Sequence, residues 1–297
     1  MDMSGVFNLL SARLNSLWSS GDNQTSQTSP SPVRPNRQSR QNEGDAGLSL
    51  SYADICVTRA MLKALGLPTE LVLEILACAQ YEPVIEFTGS RRVVAEALMG
   101  AATSAYVCLP AEVLSRNTIR RISSPHVTLK VKEIKFDIKS QDQGWTSENT
   151  TGTYNTSSWL EVSILRPGPQ FSTLENLPFW TREYDNPQAL QDQLSSSEHR
   201  LVDERPENAS VGPQECEPLA WYLQGNKVAE RQHIDYQVVW TPNHCEGNEG
   251  AGNGDGFFSV LHEGDSVLVW ARAKYPGWRC QVQNIKMTVR YGFNEPS

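Results

Sequence analysis

The sequence predicts a mainly β protein: a β-sandwich or jelly roll, preceded by a helical hairpin and a disordered N-terminal tail. Three observations carry that expectation. From Ala105 onward, apolar residues recur with a period of two in run after run, with little helical patterning between the runs. From 51 to 83 they recur at helical spacing, on two segments broken at Gly66–Pro68. From 19 to 49 they are almost absent.

The tail comes first. Residues 19–49, SSGDNQTSQTSPSPVRPNRQSRQNEGDAGLS, are dominated by Ser, Gln, Asn, Pro and Arg. Such a stretch cannot bury enough surface to offset its chain entropy, so residues 1–50 are expected to be a disordered tail. Within it Val6, Leu10, Leu14 and Leu17 stand at near-helical spacing. A transient helix is the expected reading, with a membrane or partner anchor as the alternative.

Order is expected from Ser51, which can N-cap a helix with Asp54 completing a capping box. Ile55, Thr58, Met61, Leu62 and Leu65 follow at helical spacing, and Gly66 supplies the stop. Pro68 suits the start of a second helix, on which Leu71, Val72, Ile75, Leu76 and Ala79 form an apolar face that ends before Pro83. Residues 51–83 therefore read as an αα-hairpin. Residues 84–104 read as a connector in which 90–104 can add a short helix.

Strands are expected at 105–109, 127–138, 158–165, 219–224, 233–240, 266–273 and 284–291, all within a sandwich domain of residues 105–297. Ile134, Phe136 and Ile138 share one face, and Ile285, Met287, Val289 and Tyr291 another. Their clean alternation predicts antiparallel neighbours in one sheet. Residues 167–218 read as a long polar insertion with room for a short ordered piece at PFWTREY, 178–184, and the glycine-rich loop 243–256 as mobile.

Composition narrows the function. Acids outnumber Lys and Arg by 34 to 26, a net charge of -8, which argues against nucleic acid as a partner. No apolar run approaches a membrane span, and no signal-peptide pattern opens the chain. The six cysteines are scattered without a CxxC. They are expected to be reduced and mostly buried in a cytoplasmic or nuclear protein. No nucleophile elbow, HExxH, P-loop or dinucleotide fingerprint is present. The expectation is therefore a non-enzymatic binding protein with no cofactor. His244, Cys245 and His262, with Cys216, are the nearest approach to a metal set, but their spacing matches no zinc pattern and no metal is expected. Asp255 in GNGDG lacks the repeated oxygen ligands of a calcium loop.

The sharpest motif is LGLPTELVLEIL at 65–76. Leu67, Pro68, Glu70, Leu71, Ile75 and Leu76 match the L-P-x-E-[LI]-x-x-x-[IL]-[LF] start of the F-box, which it resembles over about 15 residues. The downstream helices of an F-box are not recognisable after Gln80. The resemblance implies a partner-binding helix for the Skp-type adaptor of a cullin ubiquitin ligase, with an apolar ridge filling a groove. The alternative is that this helix packs internally.

A second resemblance covers most of residues 105–293. DQGW at 142–145, Trp221, Leu223, Gln224 and Asn226, then His233, Val239 and Trp240, and GDSVLVWARAKYPGW at 264–278 are similar to a fungal family of uncharacterised proteins. That family has no established activity, and its members place an LP-[TS]-E-L-V helix ahead of the domain. The strand order is similar, more loosely, to galactose-binding-like jelly rolls, which implies a glycan or peptide ligand at loops.

Two turns carry tryptophan. In DQGW, Asp142 can cap the turn and Gly144 can take positive φ, with Trp145 expected to fold back on the core. In YPGW, Pro276–Gly277 predicts a type II turn. Tyr275 and Trp278 are candidate stacking residues beside Arg272 and Lys274. With Asp142 and Trp145 they are the candidate ligand-loop set. The leading expectation is an F-box-like substrate adaptor. The alternative is a stand-alone carbohydrate- or peptide-binding sandwich with the helices as structural cover.

Overall fold

The computed structural model describes residues 50–89, 91–124, 127–168, 182–194, 199–203, 212 and 218–294. The expected tail, the spacing of Val6 to Leu17 and Cys216 lie outside the described residues.

The hairpin forms as expected. Helix α1 spans Tyr52–Ala64 and α2 spans Thr69–Cys78. Ser51 caps α1 through a capping box: its Oγ accepts from the Asp54 amide at 3.3 Å, and Asp54 Oδ2 accepts from the Ser51 amide at 2.8 Å. Gly66 stops α1 at φ +80°, the left-handed conformation that costs glycine nothing. The helices share a small core of Leu62, Val72 and Leu76, with Leu67, Ile75 and Tyr81 packed against it. Tyr52 meets Phe293 edge to face at 4.9 Å, and the Tyr291 amide donates to the Pro83 carbonyl at 2.9 Å, tying the hairpin to the sandwich.

Among the described residues, twelve strands build two antiparallel sheets. In the first, β1 (Val84–Thr88), β12 (Arg279–Asn294), β4 (Thr128–Gln141), β9 (Ile234–Trp240) and β10 (Cys245–Glu246) lie side by side, and β2 (Val93–Glu96) also pairs with β12. In the second the order is β6 (Glu183–Tyr184), β3 (Thr103–Ala111), β11 (Ser266–Lys274), β5 (Ser158–Arg166) and β7 (Arg200–Leu201), with β8 (Trp221–Gly225) also on β5. The chain changes sheet at β2–β3, β3–β4, β4–β5, β8–β9, β10–β11 and β11–β12, as a jelly roll does. The expected pairing of β4 with β12 is present, with Ile138 opposite Ile285 and Ile134 opposite Val289. Their inward residues fill the main core together with Leu160, Val162 and Trp240.

Three expectations are corrected. Residues 84–104 are no connector and add no helix: they supply β1, β2 and the start of β3, so the sandwich begins at Val84. Val84–Thr88 and Val93–Glu96 are strands, because β1 and β2 pair in succession along the long edge of β12. The polar insertion carries ordered structure: β6, α4 (Pro187–Leu194) and β7. Its Tyr184, Leu190, Leu194 and Leu201, with Leu219 just beyond, cover Leu165, Leu268 and Trp270 on the outer face of the second sheet, a second apolar core. That cover explains why β5 and β11 show nearly continuous burial instead of alternation. Finally, the glycine-rich loop is tied down. The Trp240 indole donates to Gly252 O and the Trp221 indole to Asp255 O, each at 2.8 Å. Gly254, at φ +64°, lies flat on the Trp240 ring where a Cβ would clash at 2.5 Å. Short helices α3 (Arg116–Ile122) and α5 (Phe257–Val260) complete the fold.

Candidate functional site

Three surfaces present chemistry: the outer face of the hairpin, the turn end of the sandwich, and a cleft at the opposite end.

On α2 the predicted ridge divides. Val72 and Leu76 turn inward onto Leu62, and Ile75 is half-buried beside them. Leu71 is 46% exposed and Leu73 45%. Leu67 packs against the hairpin core, while Pro68 and Glu70 are exposed. On α1, Val57, Met61 and Leu65 are exposed and stand at i, i+4 and i+8 on one face. This stripe was misassigned in part from the sequence, which placed Met61 and Leu65 with the buried residues Ile55 and Leu62. Both helices have apolar residues on more than one face, so period alone could not say which side the partner helix would cover.

At the turn end, the structure brings Lys274, Tyr275 and Trp278 together, and the turn that carries Trp145 adjoins them through hydrogen bonds to the start of β12. Residues 275–278 form the expected turn, with the Trp278 amide donating to Tyr275 O at 3.2 Å and Gly277 at φ +95°. A second turn, 97–102, is strapped across it: Gly277 N–H donates to Ala97 O at 3.0 Å, Ala97 N–H to Trp278 O at 3.0 Å and Tyr275 N–H to Ala102 O at 2.7 Å. Tyr275 is held at φ +69°, a strained conformation for an aromatic residue that costs about 1–2 kcal/mol. Lys274 Nζ sits 5.4 Å from its ring centroid. The third turn, 142–145, flanks the start of β12: the Gln281 side chain donates to Asp142 O at 3.1 Å and the Arg279 amide to Gln143 Oε1 at 3.4 Å.

Two members of the predicted set do other work. Asp142 is fully buried: its Oδ1 accepts from Gly144 N–H at 2.8 Å and its Oδ2 from Ala229 N–H at 2.6 Å. Burial raises its pKa against the pull of those hydrogen bonds. It therefore builds the turn, as expected, and does not face a ligand. Arg272 is buried on the outer face of β11, ion-paired with buried Glu161 and stacked 5.2 Å over Trp159, whose indole donates to Glu161 Oε2 at 3.0 Å. Trp145, expected on the core, is 60% exposed, because the Asp142–Gly144 turn directs the chain away from the sandwich.

The motif residues further along the domain are structural. Asn226 donates to Ser158 Oγ at 2.8 Å and accepts from Ser140 Oγ at 2.6 Å, joining the two sheets through a buried polar bridge. The Trp270 indole donates to Ser163 Oγ at 3.0 Å.

The cleft, about 940 Å³, lies at the other end of β4 and is bordered by Leu129, Lys130, His244, Asp255, Phe258 and His262. Cys245 lines it as well. His244, Cys245 and His262 thus share one cleft. Among the described residues, however, no three His, Cys, Asp or Glu side chains are placed to hold a metal ion. Two devices shape its walls. Thr241 Oγ1 accepts from the His244 amide at 3.0 Å, and Asp265 Oδ2 accepts from the His262 amide at 2.8 Å while Arg166 grips the same carboxylate.

The five described cysteines are free. Cys108 and Cys280 are buried, which raises both thiols, Cys280 to about 11. Cys56 and Cys245 are half-buried and Cys78 is exposed, so burial is less general than expected. No described helix is long and apolar enough to cross a membrane. Compared with known proteins, the chain matches no family model and no curated relative.

Proposed function

We propose that the protein is a non-enzymatic, cytoplasmic or nuclear interaction protein whose helical hairpin docks a protein partner. The observation that carries this reading is the divided ridge of α2. Val72 and Leu76 already complete the hairpin's own core, yet Leu71 and Leu73 stand exposed on its two flanks, and Val57, Met61 and Leu65 stand exposed along one face of the first helix. Apolar side chains left outside a finished core are what helix-in-groove recognition requires. The F-box-like start at Leu67–Pro68 makes the Skp-type adaptor of a cullin ligase the first partner to test, with the sandwich holding a target. The test is capture of purified adaptor by the full chain, wild type against Leu71→Ala/Leu73→Ala. Loss of capture at unchanged thermal midpoint supports the reading, and no capture by the wild type removes the adaptor from it.

A second reading, a sandwich that binds a carbohydrate or peptide, is favoured by the cleft near Phe258. Its walls combine an aromatic ring, His244, Lys130 and the backbone of a glycine-rich loop, a mixture of apolar surface and fixed polar groups suited to a small ligand. The hairpin keeps a core of its own and meets the sandwich through Tyr52 against Phe293.

A further inference from the structure

The turn end of the sandwich has a composition that the hairpin reading does not use. Leu98 and Met99 on the 97–102 turn, Trp145 on the 142–145 turn and Tyr275 on the 275–278 turn are all exposed, Met99 at 91%. Single exposed apolar side chains are ordinary. Four on three adjoining turns form a patch. The hydrogen bonds that strap the turns together fix the patch, and the strained backbone of Tyr275 holds one of its members.

Cations border the patch. The chain carries a net -8. Yet Arg92, Lys274 and Arg279 gather here, Arg92 donating to Gln281 Oε1 at 3.3 Å on the same stretch of β12 as Arg279. Of the acids beside it, Glu96 is engaged by Arg279 and Glu183 accepts from Ser104 Oγ at 2.7 Å, which leaves Arg92 and Lys274 as the cations without a carboxylate partner among the described ion pairs. The field is felt at His233, whose pKa is lowered by desolvation and then by Arg92 and Lys139.

We propose that this end seats peripherally on an anionic lipid surface, with Leu98, Met99, Trp145 and Tyr275 entering the interface and Arg92, Lys274 and Arg279 meeting headgroups. Tryptophan and tyrosine favour the headgroup boundary, where an apolar ring and a polar edge are both satisfied. A few apolar side chains hold a protein there only weakly, and cations beside them supply the second attraction. A protein partner would need a broad complementary surface of roughly 800 Å². Separate turn tips with a basic margin suit a planar anionic boundary better.

The test uses the full chain with phosphatidylcholine vesicles, with and without about one-third phosphatidylserine. Flotation should show binding to the anionic vesicles alone, weakening as salt rises. Met99→Ser/Trp145→Ser and, separately, Lys274→Glu should each weaken it about tenfold or more at an unchanged thermal midpoint. Tyr275→Ser, on a different turn, repeats the test if the double variant is unstable. Brominated acyl chains should quench tryptophan fluorescence in the wild type and less in Trp145→Phe. Leu71→Ala/Leu73→Ala should leave vesicle binding intact, which separates this proposal from the hairpin reading. Absence of binding to anionic vesicles overturns the proposal. Binding that survives all the turn-end variants also overturns it, by placing the contact elsewhere on the chain. Loss of a protein partner instead of vesicles in those variants overturns it in favour of a protein surface.

Discussion

Trp270 and Leu71 are both large apolar residues on regular elements, and they meet opposite fates. Trp270 is fully buried on the outer face of β11, its indole bonded to Ser163, with Tyr184 edge-on at 6.0 Å. Leu71 points into solvent from a helix whose buried residues number only two, Val72 and Leu76. The sandwich buries apolar surface on three levels: between its sheets, under the insertion, and beneath the glycine-rich loop. The hairpin buries just enough to hold its two helices together. A region with apolar surface to spare beyond its own core is the one to expect at an interface, while a doubly covered strand is committed to the fold.

That contrast predicts a graded series of effects. Trp270→Ala should be among the costliest, about 3–5 kcal/mol, because it opens a cavity in a core with no freedom to collapse. Chemical denaturation should show one cooperative loss across the sandwich. A cost under about 1 kcal/mol would mean the insertion does not seal this face.

Glu161→Ala tests the same face through charge. It leaves Arg272 buried without its partner, and breaking such a pair costs about 3–5 kcal/mol. The double variant Glu161→Leu/Arg272→Leu removes both charges and should recover much of the loss.

Leu76→Ala should act locally. The hairpin core is small and Leu76 is a main part of it, so about 2–3 kcal/mol should be lost from the hairpin alone. Amide exchange should quicken across 52–78 and stay slow in β4 and β12. Quickening throughout would show that the two regions unfold as one.

Ser51→Ala removes the N-cap and should cost about 1 kcal/mol, again confined to the hairpin. Its partner Asp54 adds a pH signature. Hydrogen bonds from Ser51 lower the Asp54 pKa below its ordinary 3.8. The cap contribution is therefore complete above that value and fades as pH falls through the lower folded pKa. The gap between wild type and Ser51→Ala should therefore narrow in acid without closing, because Ser51 Oγ still accepts from the Asp54 amide.

How much of this was legible in the sequence follows from how local each cause is. The capping box at Ser51, the stop at Gly66, the Asp142–Gly144 turn and the type II turn at 275–278 are set within four residues, and all were readable. So was the pairing of β4 with β12, whose alternation needs one buried face. The insertion was not readable, because Tyr184, Leu190, Leu194 and Leu201 are spread among polar residues and gain meaning only over Trp270. The glycine-rich loop misled for a related reason. Its glycines serve close approach to Trp240 and Tyr222, which looks the same in sequence as flexibility. At the candidate sites, the residue types were legible and their orientation was not. Arg272 and Tyr275 lie three apart, one facing a buried carboxylate and the other solvent.

The smallest stability effect is the most informative for function. Leu71→Ala/Leu73→Ala removes two side chains that are each nearly half exposed and belong to no described apolar core. Surface substitutions of that kind stay within about 0.5 kcal/mol, so the melting curve should scarcely move. Leu71→Ala/Ile75→Ala, which the LPxEL pattern alone would select, confounds the question, because Ile75 packs against Leu62, Val72 and Leu76. Adding Met61→Ser, from the exposed stripe of α1, widens the lesion without touching that core. If the hairpin is a docking element, adaptor or partner capture collapses while the fold stands. If the exposed ridge is only tolerated surface, capture and midpoint both stay where they were. A large fall in the midpoint would show that Leu71 and Leu73 are buried by another part of the chain, and the contrast with Trp270 would then disappear.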